Sequence, residues 1–407
     1  MRVTKLTPLL TALVVALALG VAACGESDEP EQTGGGGTAA TQEQSGESGG
    51  GEGGAVSEFF SQEDFDQAME WRQATPEGPE DQPWAQMIEP EMVDTSQYAV
   101  DGAPNICFSN ASVDNPWRQV GWKTMQATVE QYGDQIGRFR AVDAEAQDEK
   151  QISDIERLAG SGNCDVLIVS PNTTQTLTPA VEQACEQVPV IVFDRGVDTD
   201  CPVSFVQPIG GYAFGADGAE FLRDNVESGG KILALRILPG VDVLETRYAA
   251  MREVFDETDL ELVGAEFTDG DPAKTKSIVS DYLQREGQLD GVWMDAGATA
   301  VAAIEAFEDA GMEVPPIVGE DQQDFLRKWK EDGLTAVAPT FPVYQWRTAI
   351  DAAVKIANGE EVPKKWTLPQ PTITQDNLDE FLQEDMPPLH YATCGCEELP
   401  GYPEDWQ

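Results

Sequence analysis

From Pro104 onward the chain alternates short apolar runs with longer amphipathic ones. Runs rich in Val, Ile, Leu and Phe at Asn105–Ser109, Phe139–Val142, Val166–Val169, Val190–Phe193 and Val203–Val206 have the length and composition of buried strands. A second series follows at Ile232–Leu235, Leu260–Phe267, Gly291–Met294, Ile317–Val318 and Thr335–Ala338. Amphipathic runs of helical length lie between them: Trp117–Tyr132, Lys150–Ala159, Thr178–Gln187, Tyr212–Asn225, Glu245–Thr258, Lys274–Glu286, Thr299–Ala310 and Tyr344–Asn358. Alternating strands and helices predict parallel sheets covered by helices on both faces, an α/β class. Two sets of five strands fit two doubly wound lobes better than one large sheet, and about 350 residues exceed what one core usually serves. In such sheets ligands bind beyond the carboxyl ends of the strands, where strand order reverses. The residues just after each strand are therefore the first candidates for a site.

The N-terminus has a different pattern. Arg2 and Lys5 precede an uncharged stretch, Leu6 to Ala23, with the charged-then-apolar order of an export signal over residues 1–23. An uncleaved membrane anchor is the alternative, since the stretch approaches the length that spans a bilayer. Val21-Ala22-Ala23-Cys24 resembles the bacterial lipoprotein cleavage box, so Cys24 is expected to be lipidated and to hold the protein at the membrane, with the rest of the chain outside. Residues 25–55 hold neither an aromatic nor a basic side chain and cannot offset their ordering entropy by burial, so with Cys24 they read as a flexible tether. Its reach is on the order of 30 Å. Residues 56–103, acidic and broken by Pro76, Pro79, Pro83 and Pro90, read as an extension with one short helix near Gln62–Gln73.

The formal net charge is −48 and only seven acidic residues lie in the tether, so the head itself is strongly acidic. That excludes nucleic acid as a partner, because phosphate binding needs clusters of Lys and Arg. A solvated surface accounts for the acidity; calcium binding is the rival, and no loop of alternating carboxylates supports it. With Cys24 lipidated, six of the seven cysteines remain, an even number in an oxidising compartment. Cys185 and Cys201 flank one predicted strand and form the most plausible local disulfide, while the pairing of Cys107, Cys164, Cys394 and Cys396 stays open. Metal binding at Cys394-Gly395-Cys396 is disfavoured, since His390 is the chain's one histidine and a closed zinc site needs four ligands. Neither a Walker-type loop nor a dinucleotide-binding glycine fingerprint is present, so no cofactor and no metal is expected.

Candidate binding residues stand where strands end. Ser109-Asn110-Ala111-Ser112-Val113-Asp114-Asn115-Pro116-Trp117-Arg118 places amides, hydroxyls, an indole and a guanidinium in one loop. Asn115 and Pro116 suit a helix N-cap and first position. The flat face of Trp117 suits the C–H face of a sugar ring, with a core role as the alternative. Asp194 and Arg195 follow a buried strand and offer acceptors and a fork of donors to adjacent hydroxyls; bracing of their loop is the other reading.

The ordered set of Asn115-Pro116-Trp117, the strand end Val190-Ile191-Val192-Phe193-Asp194-Arg195, Arg247 near a helix start and Gly319-Glu320-Asp321 after a late strand resembles the ribose-binding-protein family of periplasmic sugar receptors, over roughly residues 105–373. The resemblance implies a type I periplasmic binding protein fold, with three chain crossings near Gln207, Phe341 and Trp366 forming a hinge. It divides the head into lobe 1 (104–207 and 341–365), lobe 2 (208–340 and 366–375) and a tail (376–407). It also implies a sugar cleft lined by Asn115, Trp117, Asp194, Arg195, Arg247 and Asp321, with Thr340 a further candidate. Arg118 stands where the family often has a second aromatic, Glu320 where it often has Phe or Tyr, and Asp295-Ala296-Gly297 where it usually has Asn-Asp. These exchanges add Arg118, Asp295 and Glu320 to the candidates and leave room for a cyclic polyol, an amino sugar or a small cation. The implied protein is a monomeric binding protein delivering a sugar or polyol to an ABC permease. A receptor presenting its ligand to a membrane sensor is the alternative, and a carboxylate glycosidase is the enzyme rival. A sugar-sensing transcription regulator would need a basic N-terminal DNA-binding helix where this chain has an export signal.

Overall fold

The computed structural model describes residues 60–407; the expected export signal, Cys24 and the tether lie outside the described residues. Two six-stranded sheets organise the head. In lobe 1 the strands run Lys365–Leu368, Ser204–Pro208, Val190–Phe193, Val166–Ser170, Asn105–Asn110 and Arg138–Asp143 across the sheet, all parallel. In lobe 2 the order is Thr372–Ile373, Ala336–Pro339, Ile317–Val318, Gly291–Met294, Lys231–Arg236 and Glu261–Phe267, parallel except for the antiparallel edge strand Thr372–Ile373. Helices cover both faces of each sheet, so central strands such as Val166–Ser170 and Gly291–Met294 are buried along their whole length and read as unbroken apolar runs. Separate apolar clusters fill the two faces of lobe 1 and the two faces of lobe 2. In each sheet the first strand of the lobe lies inside the second, so strand order reverses beside Asn105–Asn110 in lobe 1 and beside Lys231–Arg236 in lobe 2.

The chain passes between lobes three times. It leaves lobe 1 after Ser204–Pro208, returns through Phe341 after Ala336–Pro339, and passes to the lobe 2 edge strand through Pro369, Gln370 and Pro371. The last passage lies beyond the expected Trp366. Lys365–Leu368 pairs in parallel with Phe205–Pro208, and the Trp366 indole, buried in the lobe 1 core, donates to the Gln86 carbonyl at 2.9 Å. Among the elements that escaped the sequence pattern are the helix Gln323–Asp332 and the two short strands flanking that last passage. The helix read as Thr178–Gln187 starts earlier, at Thr174, and carries Pro179 inside it.

Residues 60–103 and the tail are ordered parts of the head. Helix Gln62–Trp71 packs on the lobe 2 helix Gly211–Asn225, where Arg72 pairs with Asp217 at 2.9 Å and Glu220 at 2.6 Å. Further on, Trp84 packs in the lobe 1 core and Met92–Val93 pairs with Val362–Pro363. Cys185 and Cys201 are joined as expected, and the remaining cysteines pair as Cys107–Cys164 and Cys394–Cys396. Among the described residues no helix is long and apolar enough to cross a membrane.

Candidate functional site

Lobe 1 builds its half of the site at its reversal point. Asn115 caps the helix Pro116–Tyr132, its side chain accepting from the Arg118 amide at 3.0 Å with Pro116 at the first position. This start throws Arg118 back across the strand ends. Its guanidinium donates to Asn110 Oδ1 at 3.3 Å and Ser170 Oγ at 3.2 Å, the ends of the two strands between which order reverses, and closes an ion pair with Asp194. Ser170 Oγ in turn donates to Asp194 at 3.2 Å. Both partners are almost fully buried, a placement that needs this pairing to offset desolvation. Asp194 holds φ at +71°, a left-handed conformation that aspartate tolerates better than most residues. Arg195 donates to the Asn172 carbonyl, and burial together with the neighbouring Arg118 charge pulls its pKa down. The Trp117 indole donates to the Phe341 carbonyl at 2.8 Å, with its ring 5.6 Å from those of Phe341 and Trp346, so it joins lobe 1 to the second chain passage.

Lobe 2 mirrors this with a second buried arginine. Arg247, on the helix Asp242–Asp256, lies over Phe214 at 3.9 Å and Phe341 at 4.7 Å, donates to the Asp295 carbonyl, and stands 4.0 Å from Glu320. Burial lowers its pKa, opposed by the Glu320 charge. Glu320 accepts from the Gly297 amide at 3.2 Å, and any side chain at Gly297 would meet the Glu320 backbone at 2.2 Å, so glycine is required there. Desolvation pushes the Glu320 carboxyl up to about 7 despite Arg247.

Between the lobes lies a cleft of about 340 Å³. Asn115, Trp117, Arg118, Asp194 and Arg195 line it from lobe 1, Arg247 and Glu320 from lobe 2. Three expected residues do not line it. Asp295 sits beneath: it accepts from the Ile237 amide at 2.8 Å, stands 3.7 Å from Arg236, and desolvation raises it to about 7. Asp321 turns to the tail, accepting from the Thr393 amide and hydroxyl at 2.7 Å each. Thr340 donates to the Pro371 carbonyl at 2.6 Å and so ties two chain passages together. Sequence reasoning missed Leu238, Asp269 and Gly270, which sit after lobe 2 strands and were open to the same strand-end search, and Tyr391, which no strand-end signal marks.

A larger pocket, about 590 Å³, lies between the extension, the tail and the chain passages; it is mostly apolar and contains neither buried arginine–carboxylate pair. His390, Cys394 and Cys396 approach within 4.8 Å of one another, the one such group among the described residues. The two sulfurs are joined to each other, so only the imidazole is left to offer a metal.

Two α/β lobes with facing carboxyl edges, a triple chain passage and a polar cleft between them define a two-lobed binding protein. Residues 106–361 match the family described as periplasmic binding protein domain, more than half of the chain, and the chain belongs to that family. It is 27% identical over 235 residues to a ribose import binding protein of Bacillus subtilis, covering 58% of this chain and 76% of that one. It is 24% identical over 233 residues to a xylitol-binding protein of Mycolicibacterium smegmatis, covering 56% and 66%. Among solved structures, an ABC transporter solute-binding protein from Thermobispora bispora superposes with a TM-score of 0.63 at 23% identity, over 71% of this chain and 90% of that one. One from Bacillus halodurans with bound myo-inositol gives 0.62 at 23%, over 69% and 98%.

Proposed function

We propose that this chain is an exported, lipid-anchored solute-binding protein that captures a sugar or polyol in the interlobe cleft and delivers it to an ABC permease. The observation that carries the reading is the pair of buried arginine–carboxylate couples, Arg118 with Asp194 and Arg247 with Glu320, one on each lobe across a cleft of about 340 Å³. Each couple offers fixed donors beside an acceptor, the combination that a run of adjacent hydroxyls can satisfy. Trp117 and Phe341 add aromatic surface for the C–H faces of a ring. No group in the cleft is set up as a nucleophile beside a base: His390 lies in the tail, and burial holds its pKa down to about 4. Relatives that bind ribose and xylitol support the ligand class. A ligand bridging the lobes stabilises the closed form by its differential affinity for that form, and closure is what a permease reads.

Calorimetry of the head from Val56 onward against monosaccharides, polyols, amino sugars and amino acids tests the reading. A sugar or polyol should give saturable heat; binding confined to amino acids would overturn the ligand class. Cys24→Ser should abolish lipid labelling in cells while leaving binding by the purified head intact.

A further inference from the structure

The C-terminal tail begins beyond the family's matched residues, and it buries His390, Cys394 and Cys396 with their ligand atoms within 4.8 Å of one another. The fold holds this cluster from two sides. On the lobe 2 side the Gln323 amide donates to the His390 carbonyl at 2.9 Å. On the lobe 1 side the Tyr344 amide donates to the Thr393 carbonyl at 3.1 Å, and Arg347 to the Gly395 carbonyl at 2.8 Å. Gly395, with φ +62°, turns the chain between the two cysteines, and a side chain there would meet Tyr344 Cβ at 2.5 Å, so the turn lies against the start of the helix Gln345–Asn358 only with glycine. Ala127, Met386, Leu399 and Trp406 pack around the two sulfur-bearing residues as an apolar shell.

Cys396 Sγ stands 3.9 Å from His390 Nε2, and Cys394 Sγ stands 3.8 Å from Glu397 Oε1. With zinc–sulfur bonds near 2.3 Å and zinc–nitrogen or zinc–oxygen bonds near 2.0–2.2 Å, the donors of a tetrahedral zinc site lie about 3.4–3.8 Å apart. Two edges of such a tetrahedron are thus already close to length, and the edge between the sulfurs is closed by their bond. The cysteine Cα atoms are 5.2 Å apart, so once that bond is broken, rotation about the side-chain torsions parts the sulfurs without moving the backbone. The Cys396 amide donates to Cys394 Sγ at 3.2 Å, which favours the thiolate. Glu397 is exposed on the wall of the pocket of about 590 Å³, which gives a metal its way in. The Cys394–Cys396 link spans a sequence separation of 2, against 57 and 16 for the other two, so in the loop-entropy account it restrains the unfolded chain least. We propose that residues 390–397 form a redox-gated zinc site, shut while Cys394 and Cys396 are joined and, once they are reduced, built from two thiolates, the His390 imidazole and the Glu397 carboxylate. A dithiol reductant passes two electrons to the sulfur–sulfur bond and becomes a disulfide itself, its two protons completing the two thiols. Zinc then displaces both protons and takes the thiolates.

The chain from residue 24 onward, with Cys24→Ser, tests this with zinc and cobalt alone. After treatment with a phosphine reductant and its removal under argon, the protein should hold one zinc per chain with a Kd below about 1 μM, read by competition with a chromophoric chelator. The unreduced protein should hold none that tightly. Cobalt in place of zinc should give the visible bands of tetrahedral geometry together with a thiolate charge-transfer band. His390→Gln and the exposed Glu397→Ala should each weaken zinc by at least about tenfold. Cys394→Ser combined with Cys396→Ser, reduced in the same way, should abolish uptake, which controls for thiols released from the other two pairs. Zinc retained by that double variant, no uptake by the reduced protein, a cobalt spectrum without tetrahedral bands, or loss of the folded circular dichroism on reduction overturns the proposal. Wild-type affinity in Glu397→Ala overturns the four-ligand set.

Discussion

Asp194 occupies a left-handed backbone position, neutralises the buried Arg118 and lines the cleft, so a substitution there bears on folding as well as on the proposed binding. As a plain cleft residue it would be dispensable for folding; as half of a buried ion pair it is not. Asp194→Ala leaves the Arg118 charge uncompensated, and breaking a buried pair from one side costs roughly 3–5 kcal/mol. Urea unfolding should show that loss, whereas Asp194→Asn, which tolerates the backbone conformation and keeps a hydrogen-bond acceptor, should lose clearly less. Arg247 behaves differently, because its aromatic stack and the Asp295 carbonyl hold it, with Glu320 a looser partner at 4.0 Å. Arg247→Ala should weaken sugar or polyol binding by at least about tenfold, the loss expected when a charged donor leaves a desolvated site. Arg247→Lys should not restore it, since an ammonium cannot lie flat over Phe214 and Phe341. Equal affinity of the Lys variant and the wild type would contradict the stacked geometry. Arg118 was readable from its place in the loop after a strand and Arg247 from the family resemblance; which carboxylate each faces was not.

Among the elements, the helices Pro116–Tyr132 and Gln345–Asn358 carry the cleft on their packing. They meet where Gly121 faces Trp346, and a Cβ at Gly121 would come within 2.2 Å of the indole. Trp346 is fully buried and touches Phe108, Phe193 and Trp117, so a shift of its ring passes directly to the side chain that joins lobe 1 to Phe341. Gly121→Ala should therefore destabilise by about 1–3 kcal/mol, as overpacking a filled core does, and should also weaken ligand binding. Thermal melts and calorimetry on the same preparation check both effects; an unchanged melt would mean the two helices slide apart freely. Most of these elements follow from local pattern, because a helix or strand advertises its buried face in its own periodicity. The strands around the last chain passage do not: they are two to four residues long and embedded among prolines, too short to show a period.

For the molecule as a whole, charge sets the response to pH. Asp295 and Glu320 are pushed up to about 7, and Asp217, Asp321 and Asp351 to about 6, each mainly by desolvation. In the unfolded chain such groups release their protons near pH 4. Between about pH 4 and 7 the folded state therefore binds more protons than the unfolded one, and stability falls as pH rises through that window. His390 acts in the opposite sense: held down to about 4, it contributes stability above its unfolded pKa near 6.5 that is lost as pH falls through about 4. Five carboxyls outweigh one imidazole above pH 6, and the formal net charge of −48 adds repulsion that grows as they ionise. The melting temperature should rise when pH is lowered from 8 to 6, and at pH 8 it should rise with added sodium chloride, which screens that repulsion. A melting temperature that drops on either change would show that surface ion pairs dominate instead.

The sequence by itself determined the class of fold, two doubly wound lobes, and the strand ends at which polar side chains gather. Both follow from local periodicity and from the covering of parallel strands on two faces, which each segment records in its own residues. Only the tertiary structure decided which of the candidate residues face the cleft. Arg118, Asp194, Arg247 and Glu320 do; Asp295, Asp321 and Thr340 brace the framework. It also decided that Tyr391, far along the chain from every strand end singled out in advance, joins them. The physical reason is that a buried charge takes its partner from whichever segment packs beside it, as Arg118 does across 76 residues to Asp194, and spacing along the chain carries no record of that choice.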